Sequence, residues 1–282
     1  MLKIITITSA CLALMLTACS KEQTTQPIQS DVDNTTEHNQ TLRIAAAANL
    51  SDVLPEIIAG YKKDKSLPAQ EIEVTYASSG KLYAQIISGA PYDIFLSANQ
   101  EFPAKLAKEK LDDLKSADIT TYQPFTYTQG QLALYSTTKS LQGLNPTALN
   151  ELLTTGSDSK ITIANPELAP YGQSAQAYLQ AQNIFDTLTE QNRIIQAENI
   201  GQAFQYAHTG NVDYGFVAQS QLTAIKATPE QFYTLAPESY PAILQDGIVL
   251  SDATAATDFS NYLRAPAGQQ YFSKAGYLVV DR

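Results

Sequence analysis

Cysteine and histidine are nearly absent from this chain of 282 residues, and each shortage removes a class of chemistry. The two cysteines, Cys11 and Cys19, both stand near the beginning, so the remainder can form no internal disulfide and offers no thiol nucleophile. The two histidines, His38 and His208, are far apart and leave no His/Cys cluster for zinc or another soft metal. No G-x-S-x-G elbow precedes a helix and no P-loop occurs, so neither a serine hydrolase nor a nucleotide-binding loop is indicated. His208 reads as a residue near the end of a helix, where it complements the dipole. Positive charge is also short. With 18 Lys and Arg against 28 Asp and Glu, the net charge of -10 excludes attraction of nucleic acid or anionic lipid through the general field. An anionic ligand would have to be drawn in by local dipoles. Past the first residues, no apolar run approaches the roughly 20 residues of a membrane span.

What is present begins with a targeting segment. Lys3 supplies a positive start, Ile4 to Leu16 is almost wholly apolar or small, and Leu16-Thr17-Ala18-Cys19 resembles the lipobox of bacterial lipoproteins. Residues 1–18 are expected to be a lipoprotein signal peptide, with Cys19 lipidated and the protein held at the periplasmic side of a bacterial membrane. Ser20 to Gln40 contains only Ile28 and Val32 as sizeable aliphatics, so 19–40 reads as a flexible lipid-anchored tether. The folded body is expected from Thr41, long enough for one large or two smaller domains.

From Leu42 onward, short apolar runs alternate with amphipathic stretches, the pattern of an α/β protein with largely parallel sheets. Strands are expected at 42–48, 72–76, 93–97, 131–135, 160–164, 193–197, 212–218 and 242–250, with a terminal strand in the LVV run. Helices are expected between them. The first carries Leu50, Val53, Leu54, Ile57, Ile58 and Tyr61 at a 3.6 period.

The informative residues sit where strands turn into helices. Four turns read Ala48-Asn49-Leu50-Ser51, Ser78-Ser79-Gly80, Pro170-Tyr171-Gly172-Gln173 and Glu198-Asn199-Ile200-Gly201. Helix N-termini carry unpaired N–H groups and a partial positive charge, and ligands of open α/β sheets bind beyond the carboxyl ends of strands. Two such turns lie early in the chain and two late, which suits a cleft between lobes. Plain N-capping accounts for any one of them alone, because Ser and Asn cap many helices. Lys81, beside the second turn, reads as a solvated helix residue rather than an anion ligand.

The motifs AAAANLSD (45–52), YASSGKLYAQI (76–86), GAPYDIFLSANQ (89–100), NPELAPYGQSA (165–175), AENIGQAF (197–204) and DYGFVAQSQ (213–221) occur in an order and spacing that resemble the periplasmic molybdate-binding proteins of bacterial ABC importers. The resemblance spans nearly all of Leu42 to Val280. It implies a two-lobed type II periplasmic-binding-protein fold with the ligand cleft between lobes: residues 41–122 plus 228–282 as lobe 1, and 123–227 as lobe 2. It also implies an oxyanion held by Ala48, Asn49, Ser79, Tyr171 and Ile200. Molybdenum would then be present only within the bound molybdate, or tungsten within tungstate, and no cofactor or catalysis is implied. One branch of the family has Ser at the first of these positions and a Tyr after the GFV-like strand. Here the residues are Asn49 and Ala218, so the fifth contact is either lost or supplied by Tyr171.

The expected partners are the oxyanion, an ABC permease with its ATPase, and a membrane reached through the N-terminal lipid, with the body a monomer. The alternatives are a receptor for another tetrahedral oxyanion such as sulfate, and a non-transport surface lipoprotein.

Overall fold

Two short strands that are almost wholly buried lie inside the two sheets of this protein. They are LRIAAA, in which Arg43 alone reaches solvent, and ITIA. A strand with no solvent-facing alternation needs helices on both faces, as a parallel sheet provides. In a computed structural model, residues 41–113, 122–155 and 158–280 are described. The expected signal segment 1–18, Cys19 and the rest of the tether 19–40 lie outside the described residues.

The first sheet contains β1 (Leu42–Ala47), β2 (Ile72–Ala77), β3 (Ile94–Leu96), β4 (Phe125–Gly130) and β10 (Ile243–Val249), in the order β2-β1-β3-β10-β4. The second contains β5 (Leu132–Tyr135), β6 (Ile161–Ala164), β7 (Ile194–Ala197), β8 (Tyr214–Ala218) and β9 (Phe232–Thr234), in the order β7-β6-β8-β5-β9. In each, parallel strands form one half, and a single strand, β10 or β5, runs against its neighbours. The two sheets are thus built on one plan, each forming the centre of a lobe.

The chain crosses from the first sheet to the second through Gln131 alone and returns between Thr234 and Ile243. The sheets divide the chain a few residues further along than the expected lobe limits, 41–122 plus 228–282 against 123–227. Phe125–Gly130 belongs to the first sheet and Phe232–Thr234 to the second. Neither carries a strand signal of its own, because FTYTQG is half polar and FYT is only three residues long; long-range pairing with β10 and β5 holds them. The expected terminal strand is reduced to one bridge, Gln129 with Leu278.

Helices α1 (Leu54–Asp64), α2 (Ser79–Ile87), α3 (Glu101–Asp113), α9 (Thr254–Arg264) and α10 (Pro266–Lys274) accompany the first sheet. Helices α4 (Pro146–Thr155), α5 (Pro170–Ala181), α6 (Phe185–Glu190), α7 (Ile200–His208) and α8 (Gln219–Ala224) accompany the second. The first helix starts later than its periodicity suggests. Ala48–Leu50 forms a 3-10 turn, and Pro55 sits in the first turn of α1, where a missing N–H costs little.

In the first lobe Ile44, Leu54, Ile57 and Tyr61 pack with Phe259, Leu263 and Phe272 from the other end of the chain. In the second, Leu134, Ile161, Ile163, Leu179 and Phe216 form a core that also takes in Ala47, Ala48 and Ala98 of the first lobe. The lobes are therefore pressed together beside those alanines. Phe259 is fully buried and meets the Tyr61 ring edge-on at 5.1 Å between centroids. Phe259→Ala is expected to lower the unfolding free energy by about 3–5 kcal/mol, measured as a lower urea midpoint with the slope unchanged.

Candidate functional site

Every strand that supplies a site residue ends in small residues, which let a helix start close to the sheet. β1 ends at Ala47 and β2 at Ala77; β6 ends at Ala164 and β7 at Ala197. Gly172 shows how close this packing is, since a Cβ there would lie 2.0 Å from the Ala164 carbonyl oxygen. Beyond those strand ends stand the 3-10 turn at Ala48 and the N-termini of α2, α5 and α7.

These four starts converge on one small cavity between the lobes. Its wall is Ala47, Ala48, Asn49, Ala77, Ser78, Ser79 and Ala98 from the first lobe, with Ala169, Pro170, Tyr171, Asn199 and Ile200 from the second. All five residues expected from the sequence, Ala48, Asn49, Ser79, Tyr171 and Ile200, line it and are buried. The free space is about 10 Å³, room for about one water-sized guest, and leaves no space for an extended organic solute.

Among the described residues, no charged side chain lines the cavity. Its polar groups are helix-start N–H groups, two serines and two asparagines. Residues in the first turn of a helix have no intrahelical acceptor for their N–H, so Ser79, Tyr171 and Ile200 present donors there. Pro170 at the start of α5 has no N–H, which leaves Tyr171 as the first donor of that helix. The Ser79 hydroxyl accepts from Ala98 N–H at 2.9 Å and keeps its own proton to donate. Ser78 Oγ and Asn49 Oδ1 are buried without a protein partner. Asn199 instead caps α7, accepting from Gln202 N–H at 3.0 Å.

Contacts across the cleft hold the two lobes around this space. Gly80 N–H donates to Leu168 O at 2.9 Å, and Lys81 Nζ lies 3.2 Å from Glu198 Oε1. The half-exposed Lys81 is therefore partnered with the opposite lobe. Behind the cavity, Gln245 Nε2 donates to the Tyr171 hydroxyl at 3.3 Å. That hydroxyl passes so near Gly130 that a Cβ there would meet it at 2.2 Å. The Tyr171 side chain thus runs toward the first sheet. Ala218 is buried outside the cavity wall, its N–H given to Gln221 Oε1 at 3.0 Å, so this position supplies no side-chain contact.

A family model described as bacterial extracellular solute-binding protein matches residues 42–278. The chain belongs to that family. Among solute-binding proteins it is 30% identical, over 266 residues, to the molybdate-binding protein ModA of Rhodobacter capsulatus, covering 86% of this chain and 99% of the relative. The solved periplasmic molybdate-binding protein of Azotobacter vinelandii superposes with a TM-score of 0.73 at 28% identity, over 85% of this chain and all of that one. The sulfate-binding protein SubI of Mycobacterium tuberculosis, with a TM-score of 0.66 and 14% identity, shares the fold. A solute-binding protein holds its ligand without transforming it, which agrees with the lack of catalytic groups read from the sequence. Ser78, Asn199 and the layer behind Asn49 are not among the residues expected from the sequence. Gln245 offered one signal, as an isolated amide within the apolar run AILQDGIVL. Tyr127 and Tyr277 offered none.

Burial pushes the hydroxyls of Tyr127 and Tyr171 well above the ordinary 10.0, with the neighbouring Tyr277 adding to the effect. The folded chain keeps these protons at a pH where the unfolded chain releases them, so the native state binds more protons there. Stability is therefore expected to be fully present below about pH 10 and to fall as pH rises beyond it. Urea unfolding near pH 8 and near pH 11 checks this; an unchanged or higher value at the alkaline end would contradict it.

Proposed function

We propose that this protein captures molybdate, with tungstate as a second ligand of the same charge and shape, and delivers it to an ABC permease driven by a separate ATPase. The observation that carries this reading is the cavity itself. It is closed between two lobes, free of charged side chains and lined by helix-start donors, in a chain 30% identical to a molybdate-binding protein over nearly all of that relative. Ala48, Asn49, Ser79, Tyr171 and Ile200 are the proposed contacts, and the oxyanion is cargo rather than a cofactor.

Molybdate near neutral pH carries no proton and only accepts hydrogen bonds. A wall of N–H and O–H donors suits it, with charge-assisted bonds contributing about 1.5–3 kcal/mol each. Hydrogen phosphate keeps a proton and needs an acceptor, and no carboxylate lines the cavity to provide one. Sulfate has the same charge and shape as molybdate, so discrimination between them rests on size. The lobes, taken as 41–130 plus 243–280 and 132–234, open to admit the ion and close on it. Lipid at Cys19 holds the monomeric body at the periplasmic side of the membrane.

Calorimetric titration with molybdate, then sulfate and phosphate, tests the reading. One-to-one molybdate binding at micromolar or tighter, about -8 kcal/mol, is expected, with sulfate far weaker. Heat from sulfate alone would reassign the ligand, and silence with all three would remove the oxyanion reading. Ser79→Ala is expected to weaken molybdate binding about 10- to 100-fold and to lower apo stability by about 1 kcal/mol, because Ala98 N–H loses its acceptor. Lost stability with affinity intact would make Ser79 an organiser of the turn and not a ligand.

A further inference from the structure

Asn49 stands in the cavity wall with its carboxamide gripped from behind. It and Gln245 are both fully buried. Asn49 Nδ2 donates to Gln245 Oε1 and to the Tyr277 hydroxyl, each at 3.0 Å, while Oδ1 has no partner. This orientation leaves a buried acceptor unsatisfied beside a space read as an anion site. It divides the single proton of the Tyr127 hydroxyl between Ser97 O at 2.8 Å and Gln245 Oε1 at 3.0 Å, whereas the opposite orientation divides that of Tyr277 instead, so the unsatisfied acceptor is what separates the two.

Turning both carboxamides by a half rotation exchanges oxygen for nitrogen and leaves the positions of the heavy atoms in place. Gln245 Nε2 then donates to Asn49 Oδ1 and to the Tyr127 hydroxyl, whose proton goes undivided to Ser97 O. The Tyr171 hydroxyl donates to Gln245 Oε1. Tyr277 keeps its 2.7 Å bond to the Asn49 carbonyl and shares that proton with Oδ1. The Asn49 NH₂ group is left facing the cavity, where an oxyanion satisfies it.

We infer that Gln245 is a positioning residue that sets the specificity of the site: it holds the Asn49 carboxamide with its donors toward the ligand. With the NH₂ group outward the cavity takes an unprotonated dianion; with Oδ1 outward it would accept a proton from hydrogen phosphate. The other end of Gln245 is taken by Tyr171 of the opposite lobe, so the arrangement is complete only when the lobes are closed. The inference rests on the oxyanion reading of the cavity, and the test separates the two.

In ¹⁵N-labelled full chain saturated with molybdate, the Gln245 side-chain amide protons are expected to show nuclear Overhauser contacts to the Tyr127 ring. The Asn49 amide pair, identified by its loss in Asn49→Asp, is expected to shift on molybdate addition. Gln245 contacts to the Tyr171 ring, with an unshifted Asn49 pair while Ser79 and Tyr171 backbone signals move, would overturn the inference and leave the oxyanion reading standing. No movement of any signal would remove the oxyanion reading, and the inference with it. In Gln245→Met, molybdate affinity is expected to fall about tenfold and the ratio of molybdate to phosphate affinity to fall with it. Equal weakening of both ions would reduce Gln245 to a packing role.

Discussion

The site depends on a single constraint: parallel strands end side by side, and the helices that follow them must start there. β1 and β2 in one lobe, and β6 and β7 in the other, direct their carboxyl ends at the same space. Each following turn brings N–H groups that the helix cannot satisfy internally. A protein with an excess of negative charge thereby obtains a donor-rich pocket without placing a cation in it. The alanines at the strand ends belong to the same constraint, because larger side chains would push the helix starts apart.

Much of this was legible in the sequence because the signal is local. Asn49, Ser79, Tyr171 and Ile200 each lie in a short motif between an apolar run and an amphipathic one, and the backbone of such a turn is decided by neighbours in the chain. The polar layer behind Asn49 is different in kind. Gln245 and Tyr277 lie 196 and 228 residues from Asn49; β10 brings in the first, and the segment bridged to β4 through Leu278 and Gln129 brings in the second. The same holds for β4 and β9, whose half-polar or very short sequences become strands through partners far along the chain. The Tyr171 hydroxyl was open between two roles in the sequence and is directed at Gln245 in the fold.

Closure is held by more than the wall of the cavity. Gly80 donates across the cleft to Leu168, Lys81 meets Glu198 at the rim, and Tyr171 reaches Gln245 at the back. The first and third are shielded from water, whereas the partly exposed ion pair contributes little in a salt solution. The Gly80 N–H is thus used between lobes, and the donors of the α2 terminus are divided between the cavity and the lobe contact.

The order of strands in the first sheet also bears on how the molecule is made. β4 pairs with β10 and β10 with β3, so β4 has no place in its sheet until residues 243–249 are available. All five strands of the second sheet, by contrast, lie in one uninterrupted stretch of 132–234. As the chain emerges from its N-terminal end, the second lobe can assemble as a unit while the first waits, its helix α1 still missing the cover of Phe259 and Phe272. The lobe that begins the sequence is therefore the one completed last, and until then the apolar face of α1 has no cover from the far end of the chain.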